Sequence, residues 1–109
     1  MQGLHTVSEA NARGHWAKHA KRAKEQRGFV RLLLDARLGR APVLPLTVTL
    51  TRYAPSSGLD DDNLRGALKA ARDGVADWLG INDRNPSVTW AYGQDRGPYA
   101  VHVTVEARP

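Results

Sequence analysis

Three consecutive aspartates, Asp60, Asp61 and Asp62, open the stretch GLDDDNLRGALKAARDGVADWLGIND. On an extended segment, residues two apart project to the same side, so Asp60 and Asp62 are expected to converge while Asp61 faces away. Two carboxylates held close repel unless a proton or a cation sits between them. Their hard oxygens suit Mg2+ or Mn2+ far better than zinc. An ion so held neutralises a phosphodiester and activates water, which makes phosphodiester hydrolysis the chemistry within reach. The same residues admit a structural reading. Asp62 or Asn63 is a good N-cap, and acidic residues near a helix N-terminus gain about 0.3–1 kcal/mol each from the dipole. One cap accounts for one aspartate, and loop solvation for the others.

The remaining candidates for chemistry are weaker. His15 and His19 stand at i, i+4, but no HExxH-type acid accompanies them, so they read as phosphate or solvent contacts. His102 alternates with Val101 and Val103 and belongs on a polar sheet face. Trp90 and Tyr92 read as core or dimer-interface residues rather than base-stacking platforms. Neither a serine-nucleophile motif nor a phosphate-cradling glycine loop is evident.

The 109 residues suffice for one domain with one modest core, spanning 1–109. Zero cysteines exclude a disulfide framework and a thiolate zinc site. No apolar run is long enough for a membrane span or a signal peptide, so a cytoplasmic location is expected. A formal net charge of +5 and a pI near 10.1 favour a polyanionic partner. Lys18, Lys21, Arg22, Lys24 and Arg27 crowd the first helical segment as candidate phosphate contacts, although a solvated face explains such a run equally well.

These residues need elements to position them. The segment from about Ser8 reads as helix, with a break near residues 26–28 at Gly28 and an end at Gly39 and Pro42. Leu44, Leu46, Val48 and Leu50 alternate with Pro45 and threonines, predicting a half-buried strand with Pro45 at its start or on an edge. From Asn63 the apolar positions Leu64, Ala67, Leu68, Ala71, Val75, Trp78 and Leu79 recur at helical spacing until Gly80. SVTWAYGQ and YAVHVTVEA alternate around DRG and predict a β-hairpin. The expected architecture is α/β (α+β): a small mixed or mostly antiparallel sheet covered by helices, ordered helix, strand, helix, strand, strand.

The arrangement D-x-D-N-L, then a basic amphipathic helix, then an acidic turn followed by a β-hairpin resembles the RusA family of Holliday junction resolvases. The matching residues are Asp60, Asp62, Asn63, Leu64 and, in GIND, Asp83. The segment SEANARGHW is a more distant likeness to the family's Ser/Asn/Arg-aromatic stretch. The resemblance implies a small homodimeric, Mg2+-dependent endonuclease (Mn2+ serving as well) of phage or bacterial origin. Its substrate would be branched DNA, four-way junctions above all, with no small-molecule cofactor. It further implies that Asp60, Asp62 and Asp83 are the metal-holding catalytic acids. The family lysine falls at Gly66, so Lys69, one turn on, is the candidate for its role. Arg65 and Arg72 join the first segment as candidate DNA contacts. Two other classes fit the same residues: a nuclease-like module that binds branched DNA or RNA without cutting, and a basic protein-interaction domain.

A geometric difficulty accompanies this reading. A straight helix over 63–79 is about 25 Å long at 1.5 Å per residue, which parts Asp62 from Asp83. A break near Gly74, a return of the 81–86 turn, or an antiparallel two-fold partner would each reunite them. The last of these implies composite active sites.

Overall fold

The computed structural model describes residues 4–10, 19–55 and 58–108, with side chains described from Ala23 onward. Its order is β1 (Leu4–Ala10), α1 (His19–Leu38), β2 (Leu46–Ala54), α2 (Asp61–Ala67), α3 (Lys69–Leu79), β3 (Val88–Arg96) and β4 (Ala100–Ala107). The class is the expected α+β, a mixed sheet with helices against it. The order differs from expectation at the start, where residues 8–10 are strand rather than helix. Backbone pairing explains this, since β1 runs antiparallel to β4 from Leu4 opposite Glu106 to Ala10 opposite Ala100. Helix α1 also passes through Gly28 unbroken. A lone glycine costs a helix only about 1 kcal/mol, which the packing of Val30 and Leu34, both fully buried, readily outweighs.

The sheet order is β1-β4-β2-β3. β2 pairs in parallel with β3 and antiparallel with β4, so the predicted β3–β4 hairpin does not form. Residues 97–99 instead carry the chain over the end of β2, where the Gly97 N–H donates to the Ala54 carbonyl at 3.1 Å. Alternation specifies that both segments are strands but not that they are neighbours. β2 has the strongest apolar face, and placing it between two partners buries it from both sides. Its Leu46, Val48 and Leu50 meet Val88, Trp90 and Tyr92 on one side. Val105 and Val103 lie opposite Val48 and Leu50 on the other.

This face of the sheet packs against Val30 and Leu34 of α1, Leu64 of α2, Leu68 between the helices, and Ala71, Val75 and Trp78 of α3. The helix expected over 63–79 is present but kinked at Leu68, where φ −100° and ψ 2° leave helical geometry. The Arg72 N–H still donates to the Leu68 carbonyl at 2.9 Å, so the kink involves one residue. Leu64 and Leu68, one turn apart, are both buried in the core. Gly80 ends α3 at φ 72°, a left-handed conformation suited to glycine.

α1 and α3 cross closely because position 74 has no side chain. A β-carbon there would lie 2.5 Å from the Arg27 carbonyl oxygen and 2.9 Å from Val30 Cβ. The Trp78 indole N–H donates to the Gly39 carbonyl at 3.0 Å and ties the ends of the same two helices. Gly74→Ala is therefore predicted to destabilise the fold by roughly 1–3 kcal/mol through overpacking, despite alanine's better helix propensity. Gly66→Ala, where a β-carbon meets nothing within 4 Å, is predicted to be neutral or stabilising by up to about 1 kcal/mol. Urea denaturation of the two variants checks both, and equal midpoints would contradict the close-crossing account.

Candidate functional site

The aspartate run sits at the mouth of α2. Asp60 is extended (φ −70°, ψ 171°), and its Oδ1 accepts the Asn63 N–H at 2.9 Å. Asp60 is thus the N-cap expected at Asp62 or Asn63. Asp61 and Asp62 already belong to the first helical turn and are exposed. This changes the expected geometry, because residues two apart on a helix do not face each other. Asp60 and Asp62 therefore do not form the converging pair that an extended segment would give. Asp62 lies one turn before Arg65 in α2, and the break at Leu68 parts both from Lys69 at the start of α3.

The loop entering α2 is fixed by β3. Gln94 accepts the Leu59 N–H at 2.8 Å through its carbonyl oxygen and donates its amide N–H to the Leu59 carbonyl at 2.7 Å. One side chain thus satisfies both backbone groups of Leu59 and sets where Asp60 begins.

Asp83 is brought back toward the start of α3 by its own chain. The Lys69 ammonium donates to Asp73 at 2.8 Å and to Asp83 Oδ2 at 3.2 Å. Arg72 donates to the Asp83 carbonyl at 2.8 Å and to the Tyr92 hydroxyl at 2.6 Å. Its Nε lies 3.2 Å from Asp83 Oδ2 but is not aimed to hydrogen-bond there, so that contact is ionic. The guanidinium lies 4.6 Å from the centre of the Trp90 ring, and the Trp90 indole N–H donates to the same Asp83 carbonyl at 3.0 Å. The 81–86 turn brings Asp83 back to Lys69 at the start of α3, the helix is kinked at Leu68 rather than near Gly74, and no contact joins Asp83 to Asp62 among the described residues. A partner subunit is not needed to bring Asp83 to Lys69.

The Lys69 hydrogen bond holds the Asp83 carboxyl below its ordinary range, and Lys69, Arg72 and Arg84 add charge attraction against the cost of partial burial. The Lys69 pKa is raised, chiefly by the hydrogen bond it donates to Asp73. Arg27 clamps Asp77 with contacts of 2.6 and 2.8 Å and reaches Asp73 at 3.9 Å. Its charge is therefore engaged in joining α1 to α3. Arg27, Asp77, Asp73, Lys69, Asp83 and Arg72 form one charge ladder of three cations and three carboxylates.

Among the expected DNA contacts, Arg72 is thus an internal brace, and Arg65 is exposed with its guanidinium 5.8 Å from the Tyr92 ring centre. Lys24 is exposed on α1. Lys21 and Arg22 lie in α1 with side chains outside the described residues, while Lys18, His15 and Trp16 lie outside them altogether. Trp90 and Tyr92 pack partly buried against the core cluster, and His102 lies 4.5 Å from Tyr53, ring centre to ring centre. Sequence reasoning missed Asp73, although its i+4 spacing from Lys69 was visible. It also missed the brace formed by Arg72, which depends on β3 and has no local signature.

Asp60, Asp62 and Asp83 offer the hard oxygen donors that Mg2+ prefers. Among the described residues no three acidic, histidine or cysteine side chains gather into one metal-holding group. Asp60 caps a helix and Asp83 is paired with cations. Also among the described residues, no helix is long and apolar enough to cross a membrane.

No family model matches the sequence. The chain is 38% identical over 79 residues, 68% of its length, to an uncharacterized protein of Xylella fastidiosa (strain Temecula1 / ATCC 700964). It spans about half, 52%, of that relative. Among solved structures, the thiamine-monophosphate kinase of Stenotrophomonas maltophilia K279a superposes with a TM-score of 0.43 at 17% identity, over 96% of this chain and 30% of the kinase.

Asp77 is lowered by its hydrogen bond from Arg27, as Asp83 is by Lys69. A carboxylate with a depressed folded pKa stabilises fully above its unfolded value, about 3.9, and loses that contribution as pH falls through the folded value. Asp77→Asn is predicted to cost about 1 kcal/mol or less at pH 7 and to make the acid decline below about pH 4 shallower than in the wild type. Urea denaturation at pH 7 and pH 3 reads both effects. Parallel losses in the two proteins would show that the Arg27–Asp77 pair contributes nothing.

Proposed function

We propose that the protein is a branched-DNA endonuclease of the RusA kind, Mg2+-dependent (Mn2+ serving as well) and directed at four-way junctions. The observation that carries this reading is the contact between Lys69 and Asp83, 3.2 Å apart and 14 residues distant in sequence. The family resemblance assigns both to one site, and folding brings them together. The Lys69 ammonium also donates to Asp73 at 2.8 Å, so two carboxylates, Asp73 and Asp83, flank it at the start of α3. Lys69 would neutralise charge building on a phosphoryl oxygen. Arg65 and the exposed Lys24 would hold backbone phosphates without reading bases. A two-fold homodimer suits the symmetry of a junction that needs paired incisions. With Asp83 and Lys69 supplied by one chain, each subunit would contribute its own site.

A second reading is favoured by one observation. The carboxylates do not gather into a metal-holding group among the described residues, as expected of a nuclease-like module that binds branched nucleic acid without cutting. One experiment separates the two. Incubation of a labelled four-way junction with the protein in Mg2+ is predicted to release nicked duplexes, and EDTA to prevent it. Asp62→Asn and Asp83→Asn are each predicted to lower the cleavage rate by about 10²-fold or more, with junction binding retained or tighter because repulsion of phosphate is removed. Binding without wild-type cleavage in Mg2+ or Mn2+ would select the module.

A further inference from the structure

We propose that Arg52 and Arg96 form a phosphate subsite at the carboxyl ends of the two parallel strands, taking one phosphodiester group of a nucleic acid. The proposal deepens the branched-DNA reading and rests on it. Its starting point is the register of β2. Leu46, Val48 and Leu50 occupy successive core-facing positions, and the next position on that face is Arg52. On β3, Gln94 stands opposite Arg52, and Arg96 stands opposite Ala54. Side chains paired across parallel strands share a face, so both arginines lie on the side of the sheet that carries the helices, where the apolar core gives out. The carboxyl ends of parallel strands are where open α/β sheets commonly receive ligands.

A cleft of about 110 Å³ opens there, lined by Arg52, Gly58, Gln94, Asp95 and Arg96. Its wall is built rather than loose. Gln94 is held by its two bonds to Leu59, and a β-carbon at position 58 would press on that amide at 3.1 Å. Asp60 follows directly, so the cleft adjoins the mouth of α2.

The guanidiniums of Arg52 and Arg96 make no hydrogen bond or ion pair with the described residues; Arg96 bonds only through its backbone N–H, to Asp95 Oδ1 at 2.8 Å. Those of Arg27, Arg72 and Arg108 are all engaged. Asp95 sets one negative charge against two positive ones, which leaves the cleft cationic. Arg96 is exposed, whereas Arg52 is half-buried and its unpartnered guanidinium has lost part of its hydration. Its fork of N–H donors matches two phosphate oxygens.

The test is the salt dependence of binding to a labelled four-way junction in EDTA, for wild type, Arg52→Gln/Arg96→Gln, and the control Arg37→Gln/Arg40→Gln. The control carries the same change in net charge on exposed residues elsewhere. Loss of one phosphate contact is predicted to lower the log–log slope by roughly 0.9 in the first variant, with little change in the control. An unchanged slope, or an equal fall in both variants, overturns the subsite. Arg52→Lys/Arg96→Lys keeps the charge while losing the fork, and is predicted to bind the junction several-fold more weakly at unchanged thermal stability; wild-type affinity in that variant overturns the proposal even if the glutamine variant fails to fold. Millimolar inorganic phosphate, followed through the arginine Nε–Hε NMR signals, separates the sources. Shifts at Arg52 and Arg96 together with wild-type junction affinity in the variants would assign the cleft to a free phosphate and overturn the phosphodiester. If the slope falls as predicted but no junction is cut in Mg2+, the subsite stands and the nuclease reading fails.

Discussion

Arg72 is the brace on which the site depends. Its guanidinium binds the Asp83 carbonyl and the Tyr92 hydroxyl and lies over Trp90, which itself donates to the Asp83 carbonyl. Two donors from different elements thus converge on one backbone oxygen, and the turn after α3 has a fixed place. The consequence is that Asp83 faces Lys69, back at the beginning of α3. The arginine is half-buried and its charge is balanced by the Asp83 carboxylate. Removing the brace would leave a buried carbonyl, a hydroxyl and an indole face with fewer partners, a cost that falls on the site before it falls on the core.

The sequence announces the parts of this arrangement more clearly than their assembly. The alternation of β2 and the helical spacing from Leu64 to Leu79 are local patterns, and the structure follows them. Gly80 and Gly39 end their helices through left-handed backbone, which glycine adopts at no steric cost. What was illegible is what depends on distant partners. β1 exists because β4 pairs with it, β3 and β4 are parted because β2 lies between them, and the Arg72 brace needs Tyr92 and Trp90 of β3. None of these has a signature within its own segment. The aspartate run shows the same limit: its spacing implies convergence only if the backbone is extended, and the helix begins one residue too early for that.

The charge distribution is divided in a way that composition conceals. A net charge of +5 suggests a uniformly cationic surface. Yet Arg27, Lys69 and Arg72 on the α1–α3 side are paired with three aspartates along a neutral ladder. Arg52 stands where the alternation of β2 calls for an apolar residue. That departure is visible in the sequence once the register is known, and it marks the end of the core and the start of a cationic cleft. Carboxylates at the mouth of α2 adjoin that cleft, since Gln94, which lines it, holds Leu59 just before Asp60.

The central claim is that one chain alone brings Lys69 and Asp83 together. Lys69 is 57% exposed and the Asp83 side chain 22% exposed, so their coupling is partly screened and is best measured at low salt. Carbon-13 NMR titration of the Asp83 carboxyl in wild type and in Lys69→Met tests it most directly. The account predicts a midpoint below the usual aspartate range in the wild type, moving up toward that range when the ammonium is removed. An ordinary midpoint in the wild type, unmoved by Lys69→Met, would contradict it.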